Sequence, residues 1–138
     1  MDKIFVGIDL GGTNIKIGFF DSELKLMGRT SVGNKADAKP ADVVDKIGAA
    51  IEGYLADNGL ESEKVGAVGI GSTGQFNLSE GFMISNPNLK LFQNVPFRTM
   101  LSERIGKPVV LENDGNAACW GEHACGAGKG VDDMVFFT

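Results

Sequence analysis

Between Ile4 and Val32 three apolar, β-prone runs follow one another so closely that no helix fits between them, and this limits the fold more than any other feature of the sequence. Ile4 to Asp9 alternates Ile4, Val6 and Ile8 around Phe5 and Gly7, the period of a buried strand. The turn Leu10-Gly11-Gly12-Thr13-Asn14 leads directly into a second run, Ile15 to Phe20. Leu24 to Val32 is a third, entered through Asp21-Ser22-Glu23. A parallel crossover needs a dozen or more residues, so these strands form an antiparallel meander.

The period then changes. Behind Pro40, which suits a first helical turn, Val43, Val44, Ile47, Ile51, Tyr54 and Leu55 recur at helical spacing, and Asn58-Gly59 supplies a stop. Val65 to Ile70 reads as a fourth strand, running into the glycine-rich turn Gly69 to Gly74. Residues 75 to 95 read as irregular, with a short strand at Phe82 to Ser85. Pro96 opens a second helix through Ile105, ended by Gly106, and Val109 to Leu111 is a further strand. Asn113 or Asp114 caps a third helix reaching Cys125, and Met134 to Phe137 reads as a last strand. Hairpins followed by strand and helix alternation describe an α/β domain, a mixed sheet covered by helices.

Composition narrows the class. The 138 residues are 43% hydrophobic and 22% charged, enough for one ordinary core. The net charge of −5 leaves no basic footprint for nucleic acid. No apolar run reaches the length of a membrane span, and residues after Met1 do not read as a secretory signal, so a cytoplasmic location is expected. Cys119 and Cys125 fall on different sides of one helix, against a disulfide. His123 with these cysteines lacks the ligand spacing of a zinc site. Ala117, Ala118, Gly121, Ala124 and Cys125 form a small-residue stripe, expected to pack closely on the sheet, with Trp120 beside it as a packing or interface aromatic.

Two constellations carry chemistry. In Asp9-Leu10-Gly11-Gly12-Thr13-Asn14-Ile15-Lys16, glycines let backbone N–H groups approach an anion, Asp9 can hold Mg²⁺ through water, and Thr13 and Lys16 offer a hydroxyl and a charge. A tight turn that needs Asp and Gly for conformational reasons alone is the alternative. The segment is no P-loop, because it joins strand to strand. In Glu112-Asn113-Asp114-Gly115-Asn116, Asp114 stands where a strand gives way to a helix, at the edge where open α/β sheets bind ligands. A carboxylate there can accept a proton from an attacking hydroxyl, and the helix N-terminus favours negative charge. Simple capping explains the same residues. Gly69 to Gly74 and Asn86-Pro87-Asn88-Leu89 suit close approach to a ligand or hydrogen bonds to sugar hydroxyls, and also plain turns.

Taken in order, these four segments resemble the ROK family of sugar kinases and sugar-responsive repressors, a branch of the actin, hexokinase and Hsp70 type of ATPase. The resemblance implies a ribonuclease H-like lobe with a mixed five-stranded sheet and helices on both faces. It implies ATP-dependent phosphoryl transfer to a hexose or N-acyl amino sugar. Asp114 would be the catalytic base, while Gly74, Asn88 and Asn113 would contact the sugar. Asp9, Gly11, Gly12, Thr13 and Lys16 would face ATP, with Asp9 holding Mg²⁺ through water. Thr73 stands where the family usually has proline, which leaves the sugar open. The family carries a second lobe with another phosphate turn, so residues 1–130 correspond to the first lobe and 131–138 to the start of the next. An isolated lobe is expected to be inactive, and to form homo-oligomers through its exposed surface or last strand. The alternatives are a sugar-sensing regulator without its DNA-binding domain and a non-sugar ATPase or activator of the same superfamily.

Overall fold

The computed structural model describes residues 2–138. Its main sheet has five strands in the order β3-β2-β1-β4-β7, where β1 is Ile4–Leu10, β2 Asn14–Phe20, β3 Leu26–Gly33, β4 Val65–Ser72 and β7 Val109–Asn113. β1, β2 and β3 pair antiparallel, as their short connections require, while β4 and β7 join parallel to β1 and to each other. Helix α1, Pro40–Asp57, makes the crossover between β3 and β4, and α2, Phe97–Ile105, precedes β7. Helix α3, Asp114–Cys125, follows β7 without a break.

The pleat gives the sheet two different faces. Ile8 pairs with Ile17 and with Ile70, and Ile70 pairs with Leu111, so one row of apolar side chains crosses four strands toward α1 and α2. Val43, Ile47 and Leu101 complete this core, all with no exposed surface. Phe19 stacks on Tyr54 of α1 with ring centroids 3.7 Å apart and planes 9° from parallel. Fully burying such side chains stabilises the fold by about 1.5–3 kcal/mol each.

The helix stops act as expected. Asn58 donates its side-chain amide to the Tyr54 carbonyl at 2.8 Å, and Gly59 and Gly106 take positive φ of 62° and 65° just beyond α1 and α2. Arg104 of α2 reaches across α1. Its Nη1 lies 2.6 Å from Glu52 Oε1 and its Nε 3.3 Å from Asp45 Oδ1. It crosses above Gly48, where an added Cβ would stand 2.6 Å from the guanidinium carbon.

Three expectations are corrected. The strand expected at Phe82–Ser85 is present as β6, but it does not stand alone: β5, Gln75–Asn77, pairs with it, and Met83 bridges to Val95. Isolated apolar residues, Leu89, Phe92 and Phe97, bury completely in the core without any sequence period, the two rings 5.4 Å apart. Met134 to Phe137 forms no strand. A strand is defined by a hydrogen-bonded neighbour and this segment has none, so the last strand expected to mediate self-association is not formed. The small-residue stripe of α3 does not lie on the sheet. Only Ala117 closes on it, against Gly71, whereas Ala118, Gly121, Ala124 and Cys125 are exposed. Trp120 is 68% exposed and touches His123 edge-on.

Gly53→Ala, on the open side of α1, should raise stability by about 1 kcal/mol in chemical denaturation, from helix propensity alone. Gly48→Ala should gain less, because Arg104 must leave its place. The Arg104 hydrogen bond holds the Glu52 carboxyl below its usual range. A depressed carboxyl contributes stability above its unfolded pKa and loses it as pH falls through the folded one. Arg104→Ala should therefore lower the Tm slightly at neutral pH, and the difference should shrink as pH falls below about 4.5.

Candidate functional site

The face opposite the core carries the polar residues. Strand register puts Ser31, Lys16, Asp9, Gly71 and Glu112 in one row across all five strands. Two residues along, Gly18, Gly7 and Gly69 stand side by side on β2, β1 and β4. Three adjacent glycines leave a stretch of sheet with no side chains, a floor on which a ligand can lie directly against backbone. The Phe20 ring leans toward it, 3.4 Å from the position of a Cβ on Gly7.

Helix α3 begins beside this floor. Asn113 is its N-cap, its Oδ1 accepting from the backbone N–H groups of Gly115 at 3.0 Å and Asn116 at 3.3 Å. The cap is thus Asn113, and this leaves Asp114 at the first helical position with its carboxylate exposed. A Cβ on Gly71 would come within 3.6 Å of the Asp114 Cα and 3.2 Å of the Ala117 Cβ, so the glycine is what lets α3 start so near the sheet. Asp9, Lys16, Gly71 and Asp114 consequently line one open cleft of about 1070 Å³, floored by Gly7 and Gly18. Phe136 and Thr138 of the chain's last segment reach the same cleft.

Asp9 and Lys16 are register partners yet form no ion pair with each other or with any other described residue. Both charges therefore face the cleft available to a ligand. A single exposed carboxylate fits the way Mg²⁺ is held beside phosphates, with most of its shell as water.

The other expected site residues lie outside this cleft. The Gly11 N–H donates to the Asn14 carbonyl at 3.0 Å within the turn. Gly12 backs onto Asn88, whose carbonyl would lie 2.5 Å from an added Cβ. Thr13 is exposed, and its carbonyl accepts from the Asn34 N–H at 2.7 Å. Gly74 takes φ of +114° and packs on the Ser85 carbonyl, so only glycine fits there. Asn88 is exposed, and its Nδ2 donates to Thr73 Oγ1 at 3.1 Å.

Sequence reasoning passed over several residues that shape the site. Gly7 and Gly18 floor the cleft, and Gly69 continues the glycine row beside Gly7. Asn34, 9% exposed, donates Nδ2 to the Gly11 carbonyl at 2.9 Å and so ties the first turn to the end of β3. Ser72 and Asn86, which the sequence offers as members of ligand-facing turns, are instead 1% and 4% exposed and form a buried polar pair behind them.

The sequence matches the ROK family model over residues 5–138. The chain belongs to the ROK family. It is 35% identical over 133 residues to a glucokinase of Streptomyces coelicolor, an alignment covering 96% of this chain and 39% of that protein. A ROK family glucokinase from Streptomyces griseus, solved in complex with glucose and AMPPNP, superposes with a TM-score of 0.80 at 37% identity. That match covers 94% of this chain and 39% of the other. ROK hexokinase from Thermus thermophilus matches with a TM-score of 0.79 at 34% identity, covering 94% of this chain and 41% of its own. This ROK chain therefore has the actin and hexokinase type of fold and spans about 39% of the length of the relatives it matches. None of its helices is long and apolar enough to cross a membrane, among the described residues.

The two kinds of glycine should separate experimentally. Gly12→Ala drives a methyl into the Asn88 backbone and should cost about 1–3 kcal/mol in urea denaturation. Gly7→Ala meets only a movable ring and should change stability by less than about 1 kcal/mol.

Proposed function

We propose that this chain is the N-terminal part of an ATP-dependent sugar kinase, transferring a phosphoryl group to a hydroxyl of a hexose or N-acyl amino sugar. The observation that carries this reading is the meeting of Asp9, Lys16 and Asp114 around one glycine-floored cleft. Phosphoryl transfer asks a protein to position its reactants, to offset phosphate charge and to receive a proton. Those are the tasks a lysine, a free carboxylate beside it and a second carboxylate at a helix N-terminus can perform.

In this reading Asp114 accepts the proton of the attacking hydroxyl. It leads α3 with its side chain exposed, and its Oδ1 is steadied by the Gly115 N–H at 2.9 Å. Lys16 pairs with phosphate oxygens, and Asp9 holds Mg²⁺ through water. When bound, that cation neutralises charge on the phosphates. Gly11, Gly12 and Thr13 contribute the backbone of the first turn on the nucleotide side. Gly74, Asn88 and Asn113 bind the sugar, Asn113 through its Nδ2 because its Oδ1 is committed to the cap. The glucokinase and hexokinase relatives support the substrate class, and the AMPPNP in one of them supports ATP as donor. A cytoplasmic setting and homo-oligomers through the exposed lobe surface fit the same reading.

The test uses the intact gene product that carries this chain. Asp114→Asn should lower sugar-dependent ADP formation by about 10²–10⁴-fold with circular dichroism unchanged. Asp9→Asn should raise the Mg²⁺ concentration needed for half-maximal rate. Undiminished turnover in Asp114→Asn would overturn the base assignment. Sugar binding with no turnover in the wild type would instead point to a sensor.

A further inference from the structure

The segments around Thr73 and Asn86 are joined by a hydrogen-bond chain whose direction can be worked out from its ends. At one end is the Leu10 carbonyl, which can only accept. Ser72 Oγ lies 2.8 Å from it and donates to it. Ser72 then has only lone pairs to offer Asn86, so the group 3.0 Å away must be the Asn86 Nδ2. At the other end the Asn88 backbone N–H, which can only donate, points at Asn86 from 2.9 Å and requires an oxygen there. The two ends agree on the same orientation of the Asn86 amide.

Thr73 extends the chain to the surface. Its Oγ1 stands 3.2 Å from Asn86 Oδ1, an acceptor, so the hydroxyl proton is spent on it. With its proton on Asn86, Thr73 offers lone pairs to the Asn88 side chain 3.1 Å away, whose Nδ2 turns inward to donate to it. With Asn88 reversed, the Thr73 hydroxyl would have to swing away from Asn86 to donate to the Asn88 Oδ1, and the Thr73–Asn86 bond would be lost. Asn86 and Ser72 are buried and Asn88 is exposed, so a fixed interior arrangement is read out on an exposed amide.

We infer that Thr73 and Asn86 are positioning residues that hold Asn88 with its Oδ1 outward, as an acceptor for a sugar hydroxyl that donates. This deepens the kinase reading and rests on it for the identity of the ligand. Among substrates, it selects for a free hydroxyl at the position Asn88 meets, and against a substituent there that cannot donate. Thr73 also sets this preference without touching the sugar.

The test takes the ¹⁵N-labelled intact gene product that carries this chain, with Thr73→Val to remove the hydroxyl at nearly constant shape and Thr73→Ser to keep it. In NMR, the Asn88 side-chain amide protons should exchange about threefold or more faster in Thr73→Val, and as in the wild type in Thr73→Ser. Titration with glucose and its monofluoro-deoxy analogues gives the second arm, since fluorine cannot donate. One analogue should bind about tenfold more weakly than glucose to the wild type, and the gap should shrink to about twofold in Thr73→Val, where the amide can turn over. Unchanged Asn88 exchange in Thr73→Val overturns the positioning role. Fluoro analogues that all bind like glucose overturn the acceptor role alone. Glucose that binds without shifting the Asn88 amide overturns its sugar-facing role and leaves the kinase reading standing, while the exchange arm still decides how the amide is held.

Discussion

Everything that converges on the cleft does so because β1 is hydrogen-bonded along both edges, antiparallel to β2 on one side and parallel to β4 on the other. A strand held on both sides cannot slip without turning its apolar side chains out of the core. Ile8 and Leu10 are buried, and this locks Asp9 onto the opposite face, between Lys16 and Gly71. The hairpin brings the cation and the carboxylate together. The parallel pairing brings in Gly71, and β7 beyond it delivers Asp114. Local and long-range pairing meet at a single residue of one strand.

The loops at that end of the sheet are tied to the strands by polar atoms instead of apolar packing. Leu10, Ser72 and Asn86 join the end of β1, the end of β4 and the loop after β6 through two hydrogen bonds. Asn34 ties the first turn to the end of β3 through its Nδ2 alone, its buried Oδ1 having no partner among the described residues. Buried polar groups that satisfy one another hold geometry more narrowly than apolar contacts, since each bond has a direction and a broken one leaves an unpaired group at a cost of about 1–3 kcal/mol. Ligand-facing loops cannot bury much apolar surface and still stay open to solvent. Directional bonds behind them supply the order that packing would supply elsewhere.

Much of this was legible in the sequence for reasons that can be named. The meander followed from connections too short for a crossover. The stop at Asn58-Gly59 and the N-cap near Asp114 followed from local chemistry that needs no tertiary partner. Asp9 and Lys16 stand equally far from the middle of their turn, so a hairpin pairs them, and the same symmetry pairs Gly7 with Gly18. That second pairing is encoded in the same lines of sequence. What could not be read were features whose partner lies far along the chain. Gly69 beside Gly7, Asn86 beneath Ser72 and Asn34 under Gly11 each depend on a register or a loop path that no local pattern encodes. The last segment shows the converse. Met134 to Phe137 has the composition of a strand and still forms none, because composition cannot provide a neighbour.

The glycine row raises a question of stability. Glycine weakens a strand interior, having more freedom to lose and no side chain to pack, and here three lie side by side in the middle of the sheet. The pleat resolves the conflict. Each of these glycines is followed or preceded by a residue on the other face, where Ile8, Ile17 and Ile70 are packed beneath α1 and α2 with almost no exposed surface. The same strands thus place their stabilising contacts on one face and their bare backbone on the other. Substitutions on the glycine face can alter what the cleft accepts without entering the core, whereas a change at Ile8 or Ile17 would be felt by both faces, because it would move the register on which Asp9, Lys16 and Gly71 depend.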